Sequence, residues 1–212
     1  MSVNATRKRH PDETREMILQ AAFEEIWEHG FQAASLDRIL KRTGVTKGAL
    51  YHHFKNKLEL GYAVIEDVIR PQMLGTWLRA MSESDNPLDC LRRALRSIHK
   101  ESAVRACQCG CPLNNLALEM SPLDEGFRKR IHATFEMWRR GIAQALRQGQ
   151  AEGTVRKDVD PNHMATFILA SIEGTISLMK TSQDPAVFEA SFEGLDRFLS
   201  TLEPEAAQAR VA

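Results

Sequence analysis

Residues 35–57 read SLDRILKRTGVTKGALYHHFKNK, and their grammar decides the fold. Ser35 precedes Leu36, Ile39 and Leu40, whose spacing of three and four puts them on one helical face. A serine there accepts a backbone N–H bond and starts the helix. Gly44 follows Thr43 where that helix should stop, because glycine takes positive φ at little cost. Thr46 offers a second N-cap two residues later. Val45, Ala49, Leu50 and Phe54 then face inward, with Leu50 and Phe54 one turn apart. Two short helices joined by so tight a turn make a helix-turn-helix.

The outward face of the second helix carries Thr46, Lys47, Gly48, Tyr51, His52 and His53, a small, polar, basic and aromatic set. Gly48 costs about 1 kcal/mol against alanine inside a helix, but it removes the side chain that would hold the backbone off a groove. Asn56 is placed to cap a following helix, with Lys57 on its first turn. A lysine there opposes the helix dipole, so an outside anion is its natural partner. An ordinary charged surface helix accounts for Lys47 or His52 alone. The whole set fits a helix built to lie in a DNA groove, with Ser35, Thr46, Lys47, Gly48, Tyr51, His52, His53 and Lys57 as the contact residues.

At this point a resemblance enters. The segment from about Thr14 to Leu60 resembles the DNA-binding domain of the TetR family of bacterial transcriptional repressors. The matching residues are Ile18 to Ala22, Gly30-Phe31, Ser35-Leu36, Ile39, the run Gly44 to Phe54, and Lys57. Arg38 departs from the alanine that the family more often carries before its isoleucine, which reads as a packing change. The resemblance implies an all-α chain: an N-terminal three-helix helix-turn-helix domain, then a helical body that binds an effector and dimerises. It also implies a homodimer on a palindromic operator, released by a small molecule.

The chain has 212 residues with balanced formal charge. The balance is uneven. Residues 1–57 hold ten Lys/Arg and seven Asp/Glu, the remainder 18 and 21. A mildly basic head on a mildly acidic body suits a DNA reader joined to a regulatory domain, and the division is placed at 1–57 and 58–212. No apolar run is long enough to span a bilayer, and the N-terminus lacks the apolar core of a signal peptide. The expectation is a cytoplasmic protein with Cys90, Cys107, Cys109 and Cys111 as thiols.

Residues 1–11 read as an arm bearing Arg7-Lys8-Arg9-His10, suited to phosphates or a minor groove; a solvated tail is the alternative. Asp12 to His29 is a helix ended by Gly30. Lys57 to about Met81 is a longer connecting helix, broken or bent near Arg70-Pro71. Leu88 to about Val104 follows, then a Cys107–Pro112 interruption, a short helix Leu113 to Met120, and a long one to Glu152 stopped by Gly153. Met164 to Lys180 and Ala186 to Leu202 complete about nine helices, with no strand pattern. Small residues such as Ala170 and Gly174 let helices approach closely. Met164–Lys180 and Ala186–Leu202 are therefore expected to form a two-fold four-helix bundle with a second chain; closing the monomer core is the alternative.

The expected effector pocket is lined by Trp77, Met81, Leu116, Met120, Phe135, Trp138, Phe167 and Met179, since Met and aromatic residues suit an adaptable apolar site. Residues of these types are more often plain core than ligand contacts, and no charge on a predicted inner face nominates the ligand. Cys107, Cys109 and Cys111 alternate along a short loop. They read as packed structural thiols, as a sensor, or as a soft-metal site. The sensor reading rests on Cys111, at a helix start that lowers a thiol's pKa. The metal reading is weakest, because Cys-x-Cys-x-Cys is not the usual zinc spacing, and no metal or cofactor is assigned. The resemblance adds that some members with a Gly-Cys pair at the place of Gly110-Cys111 respond to electrophiles or oxidants, with a nearby lysine, here Lys180. No nucleophile elbow, Walker sequence, dinucleotide fingerprint or His-Glu-x-x-His is present, so no enzyme is expected; a thiol enzyme built on Cys111 and a helical adaptor without DNA binding are the remote alternatives.

Overall fold

Local capping chemistry sets the chain's course. The computed structural model describes residues 11–82 and 86–204, and the side chains among them other than 77–82 and 97–103. Arg7 to His10 lie outside the described residues. Helix α1 (Pro11–His29) carries Asp12 and Glu13 in its first turn and ends at Gly30, whose φ is 81°. Helix α2 (Leu36–Thr43) starts where the Ser35 hydroxyl accepts from the Arg38 N–H, and ends at Gly44 with φ 66°. Helix α3 (Lys47–His53) is capped by Thr46, whose hydroxyl accepts from the Ala49 N–H at 3.2 Å. Asn56 caps α4 (Lys57–Ala63) through the Glu59 N–H at 2.9 Å. All four signals were local, and all four act as the sequence suggests.

The long connecting helix does not break at Pro71. It runs on through a π-helical segment (Val64–Ile69) into α5 (Arg70–Ser82), and the Arg70 N–H donates to the Ile65 carbonyl five residues back. The irregularity therefore lies before the Arg70-Pro71 pair. A single π turn widens the helix by one residue without ending it, and Val64, Ile65, Val68 and Ile69 of that turn are all buried.

The cysteine stretch corrects a second expectation. Helix α6 (Pro87–Cys109) continues through Cys107 and Cys109, so these belong to its last turn and not to a loop. Gly110 ends it at φ 76°, and Cys111 is the N-cap residue of α7 (Pro112–Met120). Helices α8 (Glu125–Glu152), α9 (Pro161–Ser182) and α10 (Ala186–Ser200) follow, capped by Asp124 and Asp160 at the starts of α8 and α9. With 57–82 taken as one rod, nine helices are present among the described residues, and no strand.

Helices α1, α2 and α3 close on Ile18, Ala22, Ile39, Leu50 and Phe54, all buried. The body packs α8 against α9, with α6 and α10 against α9. Arg92 pins α10 to α6 through Asp196 at 2.6 Å and Glu203 at 2.8 Å. The two parts share one continuous apolar core. At their junction Phe31 meets the edge of Phe127, with ring centroids 4.5 Å apart, and Gly61 lies beside both rings. A Cβ on Gly61 would stand 2.5 Å from Phe31 and 2.6 Å from Phe127. Overpacked cores lose about 1–3 kcal/mol. Gly61→Ala is therefore expected to lower unfolding free energy by that amount in urea titration, and an unchanged midpoint would contradict this packing.

Candidate functional site

Helix α3 is held from behind and open in front. Leu50 and Phe54 anchor α3 in the core, while Thr46, Lys47, Gly48, Tyr51 and His52 are exposed and His53 is half-buried. Open space surrounds Gly48, so the backbone there meets no obstacle of its own. Lys57 is only partly free. Its Nζ donates to the Gln32 carbonyl at 3.0 Å and lies 5.0 Å from the Phe31 ring centre. Partial burial lowers its pKa, against the pull of Glu119 and Glu25. Two ammonium hydrogens remain for a phosphate.

Behind α3 stands a side chain that sequence reasoning missed. The Glu25 carboxylate of α1 is buried and accepts from the Ser35 N–H at 3.0 Å and from Arg38 Nε at 2.6 Å. Burial alone would raise its pKa. The bonds from Arg38 and Ser35 outweigh burial and hold the carboxyl below its ordinary value. Arg38 is thus not a packing change. It neutralises a buried acid and fixes the start of α2 to α1.

The body holds a cavity of about 180 Å³ directly beneath this domain. Phe23 and Trp27 of α1 form one wall, Gln72, Met73 and Thr76 of α5 another. The α6–α7 corner contributes Ala106, Gly110, Cys111 and Pro112, and α8 and α9 contribute Trp138, Glu173 and Ile176. Trp27 is fixed by its indole N–H, which donates to the Gly110 carbonyl at 2.9 Å. Glu173 is 8 % exposed, and neither carboxyl oxygen has a hydrogen-bond partner. The Cys111 thiol lies close enough to act on it, but it is a weak donor and forms no bond of good geometry. Burial raises the Glu173 pKa to about 7. A second void, under α10, is about 20 Å³ and mostly apolar in its lining, room for little more than a water.

Comparison with known proteins decides the family. Residues 18–64 match the family model for bacterial regulatory proteins of the tetR family, and residues 77–195 match the tetracyclin repressor-like C-terminal domain. The chain belongs to the TetR family. An HTH-type transcriptional regulator encoded in the lacX 3' region of Lactococcus lactis is 33 % identical over 180 residues, covering 85 % of this chain and 90 % of that one. The HTH-type transcriptional repressor DhaR of a Mycobacterium species is 26 % identical over 188 residues, 89 % of each chain. A TetR-family regulator from Cytophaga hutchinsonii superposes with a TM-score of 0.84 at 21 % identity, covering 92 % of this chain and 97 % of that one. The chain is a TetR-family transcriptional regulator.

Of the pocket residues expected from sequence, Trp138 lines the cavity of this TetR-family protein. Leu116 and Met120 are buried in the main core, with Phe135 packed half-buried against it. Met179 is buried in a separate small cluster with Ala106, Cys107 and Phe188. Phe167 is 50 % exposed and meets Phe198 at a tilt, ring centroids 4.5 Å apart, which corrects its assignment to an inner wall. The side chains of Trp77 and Met81 lie outside the described residues. Glu173 overturns the expectation that no inner charge exists. Its signal was present, since it is the one charged residue between His163 and Lys180 in a long apolar run.

The cysteines do not converge. Cys107 is buried against Met179 and Phe188, Cys109 is half-buried, and Cys111 is buried in the cavity wall. No group of three or more metal-ligating side chains occurs among the described residues. Cys111 does sit at a helix start, but its pKa is not lowered. Burial first, then the Glu173 carboxylate, push it well above the ordinary thiol value, and the N–H groups of Asn114 and Leu113 pull the other way without prevailing. Lys180 does not attend it. Its Nζ donates to Asn115 Oδ1 at 3.0 Å, and its stem packs over Gly110.

A carboxyl whose folded pKa is raised from 4.5 to about 7 costs stability once ionised. The cost is absent below about pH 4.5, grows up to about pH 7 and stays constant above. Glu173→Gln should therefore gain roughly 1–3 kcal/mol of unfolding free energy at pH 8, and the gain should vanish in acid. Urea titrations of both proteins at several pH values measure it; a difference that ignores pH would refute the buried, unneutralised carboxyl.

Proposed function

We propose that the protein is a repressor that binds a palindromic operator as a homodimer and leaves it when a small molecule enters the cavity beneath α1. Residues 1–57 serve as the DNA-binding unit and 58–212 as the effector and dimerisation unit, in the cytoplasm and without a catalytic role. The observation that carries the DNA reading is the exposed face of α3: an anchored helix with Thr46, Lys47, Gly48, Tyr51 and His52 turned outward. Thr46, Lys47, Tyr51 and Lys57 are assigned mainly to phosphates. Gly48, His52 and His53 are assigned the positions nearest the bases, and Ser35 holds the start of α2. A fellow family member of similar length, DhaR, is named a repressor.

Gel shift on the DNA flanking its own gene tests this. Lys47→Ala should weaken binding across sequences alike and reduce the slope of log affinity against log salt by about one. A Tyr51→Ala, His52→Ala double variant should lose sequence selectivity. Tight, selective binding by that variant would count against the assignment.

The dimer reading is supported by the outer face of α9. Phe167, Ala170, Gly174 and Leu178 are all exposed at spacings of three and four, and open space surrounds Gly174. The outer face of α10 adds Ala190 and Gly194. Two such faces pack closely because their small residues admit the partner backbone. In sedimentation at micromolar concentration the chain should run as a dimer and Gly174→Trp as a folded monomer with far weaker operator binding. A monomeric wild-type protein would overturn the dimer.

A further inference from the structure

We infer that the cavity takes a small organic cation with an aromatic or apolar body, its ammonium group seated on the Glu173 carboxylate. The inference deepens the reading of this cavity as the effector site and rests on it. Three features converge. The first is a carboxyl group with both oxygens free of hydrogen-bond partners, on a side chain that is 8 % exposed and lines an open volume of about 180 Å³. Burying such a group without a partner is unfavourable, and a cation that enters relieves it. The second is the wall itself. Phe23, Trp27 and Trp138 surround the same space, and the faces of aromatic rings attract cations through their quadrupole, tryptophan most strongly. The third is the absence of a competing charge among the described residues of the wall. Arg105 lies over Trp27 at 4.2 Å, yet its guanidinium is paired with Glu24 and Glu28. No lysine or arginine is among the described residues that line the cavity.

A carboxylate ligand would meet Glu173 as a like charge or oblige it to keep its proton. A neutral apolar ligand would leave both oxygens unpartnered and exclude the water that could serve them. An ammonium supplies up to three donors to two acceptor oxygens and keeps its apolar body against the rings. Cys111 beside Glu173 adds a polarisable, uncharged neighbour, its thiol held protonated by burial and by that carboxylate.

Benzylamine and benzyl alcohol test this, since the two differ in little but charge. Binding is followed on the full-length protein by calorimetry and by tryptophan fluorescence at about pH 8, where Glu173 is ionised. The expected result is that benzylammonium binds roughly tenfold or more tighter than the alcohol. Glu173→Gln should abolish that preference, and Glu173→Asp, which keeps the charge, should retain part of it. Thermal melts verify that each variant is folded. Equal binding of the two compounds, no binding of benzylamine to the folded protein, or a preference untouched in Glu173→Gln would each overturn the inference. Operator affinity is measured in parallel. Charge-selective binding without any change in operator affinity would sustain the cation site and overturn the effector reading. Operator release by neutral compounds, indifferent to Glu173, would do the reverse.

Discussion

The carboxylate of Glu119, at the end of α7, is the contact on which the placement of the DNA-binding unit depends. Its two oxygens accept from the backbone N–H groups of Phe31 and Gln32, both at 2.8 Å. Those donors lie in the turn just after α1, where no helix partner is available to them. Charge-assisted bonds to backbone N–H groups are stronger than neutral ones, and here one side chain satisfies two. Gly30 makes the approach possible. Its φ of 81° suits glycine, and a Cβ would stand 3.0 Å from the Glu119 carboxylate. Lys57 completes the knot by holding the Gln32 carbonyl. The helix-turn-helix unit is therefore held by a helix of the body, and not by the connecting helix alone.

That body helix also begins at the cavity. Helix α7 is nine residues long, about 13 Å at the usual rise. Its N-cap Cys111 and its first residue Pro112 line the cavity, and its penultimate residue is Glu119. The opposite wall is α1 itself, through Phe23 and Trp27. A molecule in this space touches both the reader's own scaffold and the helix that clamps it. The rod from Lys57 to Ser82, which the sequence marks as the connector, is the longer of two routes, and it enters the cavity through Gln72, Met73 and Thr76. Its π turn, Val64–Ile69, lies near the start of that rod, and such turns are frequent at functional sites.

What could be read from sequence was what local chemistry determines. Ser35, Gly44, Thr46 and Asn56 act within four residues of themselves, so their types announce the helix-turn-helix without reference to anything distant. The pairing of Glu25 with Arg38 spans thirteen residues and depends on how α1 crosses α2, which no spacing rule supplies. The cysteine stretch misled because Gly110-Cys111-Pro112 reads as a loop. Only one residue there, Gly110, leaves helical geometry before the next N-cap. Phe167 was misplaced because α9 is apolar nearly all round, so periodicity could not say which side faces inward. Glu173 was overlooked for the same reason. On a helix with no polar face, one acid looks like the solvent side.

Glu173 and its neighbour explain why α9 is built this way. Residue 173 points into the cavity and residue 174 points out into open space. Successive residues on a helix are separated by about 100°, so one short stretch serves both faces. The inner face carries the orphaned carboxylate. The outer face carries Gly174, flanked one turn away by Ala170 and Leu178, the surface proposed for the partner chain. An α9 shifted by a ligand on its inner side must shift that outer seam as well, because a packed helix moves as a rigid element. In a two-fold dimer the seam sets the distance between the two reader helices, and a palindromic site tolerates only one such distance. On the proposed reading, occupation of the cavity would act on DNA by two mechanical paths: through α7 and Glu119 on the tilt of each reader, and through α9 on the spacing of the pair. The first is confined to one chain and the second requires two. An effector that works through α9 must therefore show its action on full palindromes more strongly than on isolated half-sites, whereas α7 acts on both alike.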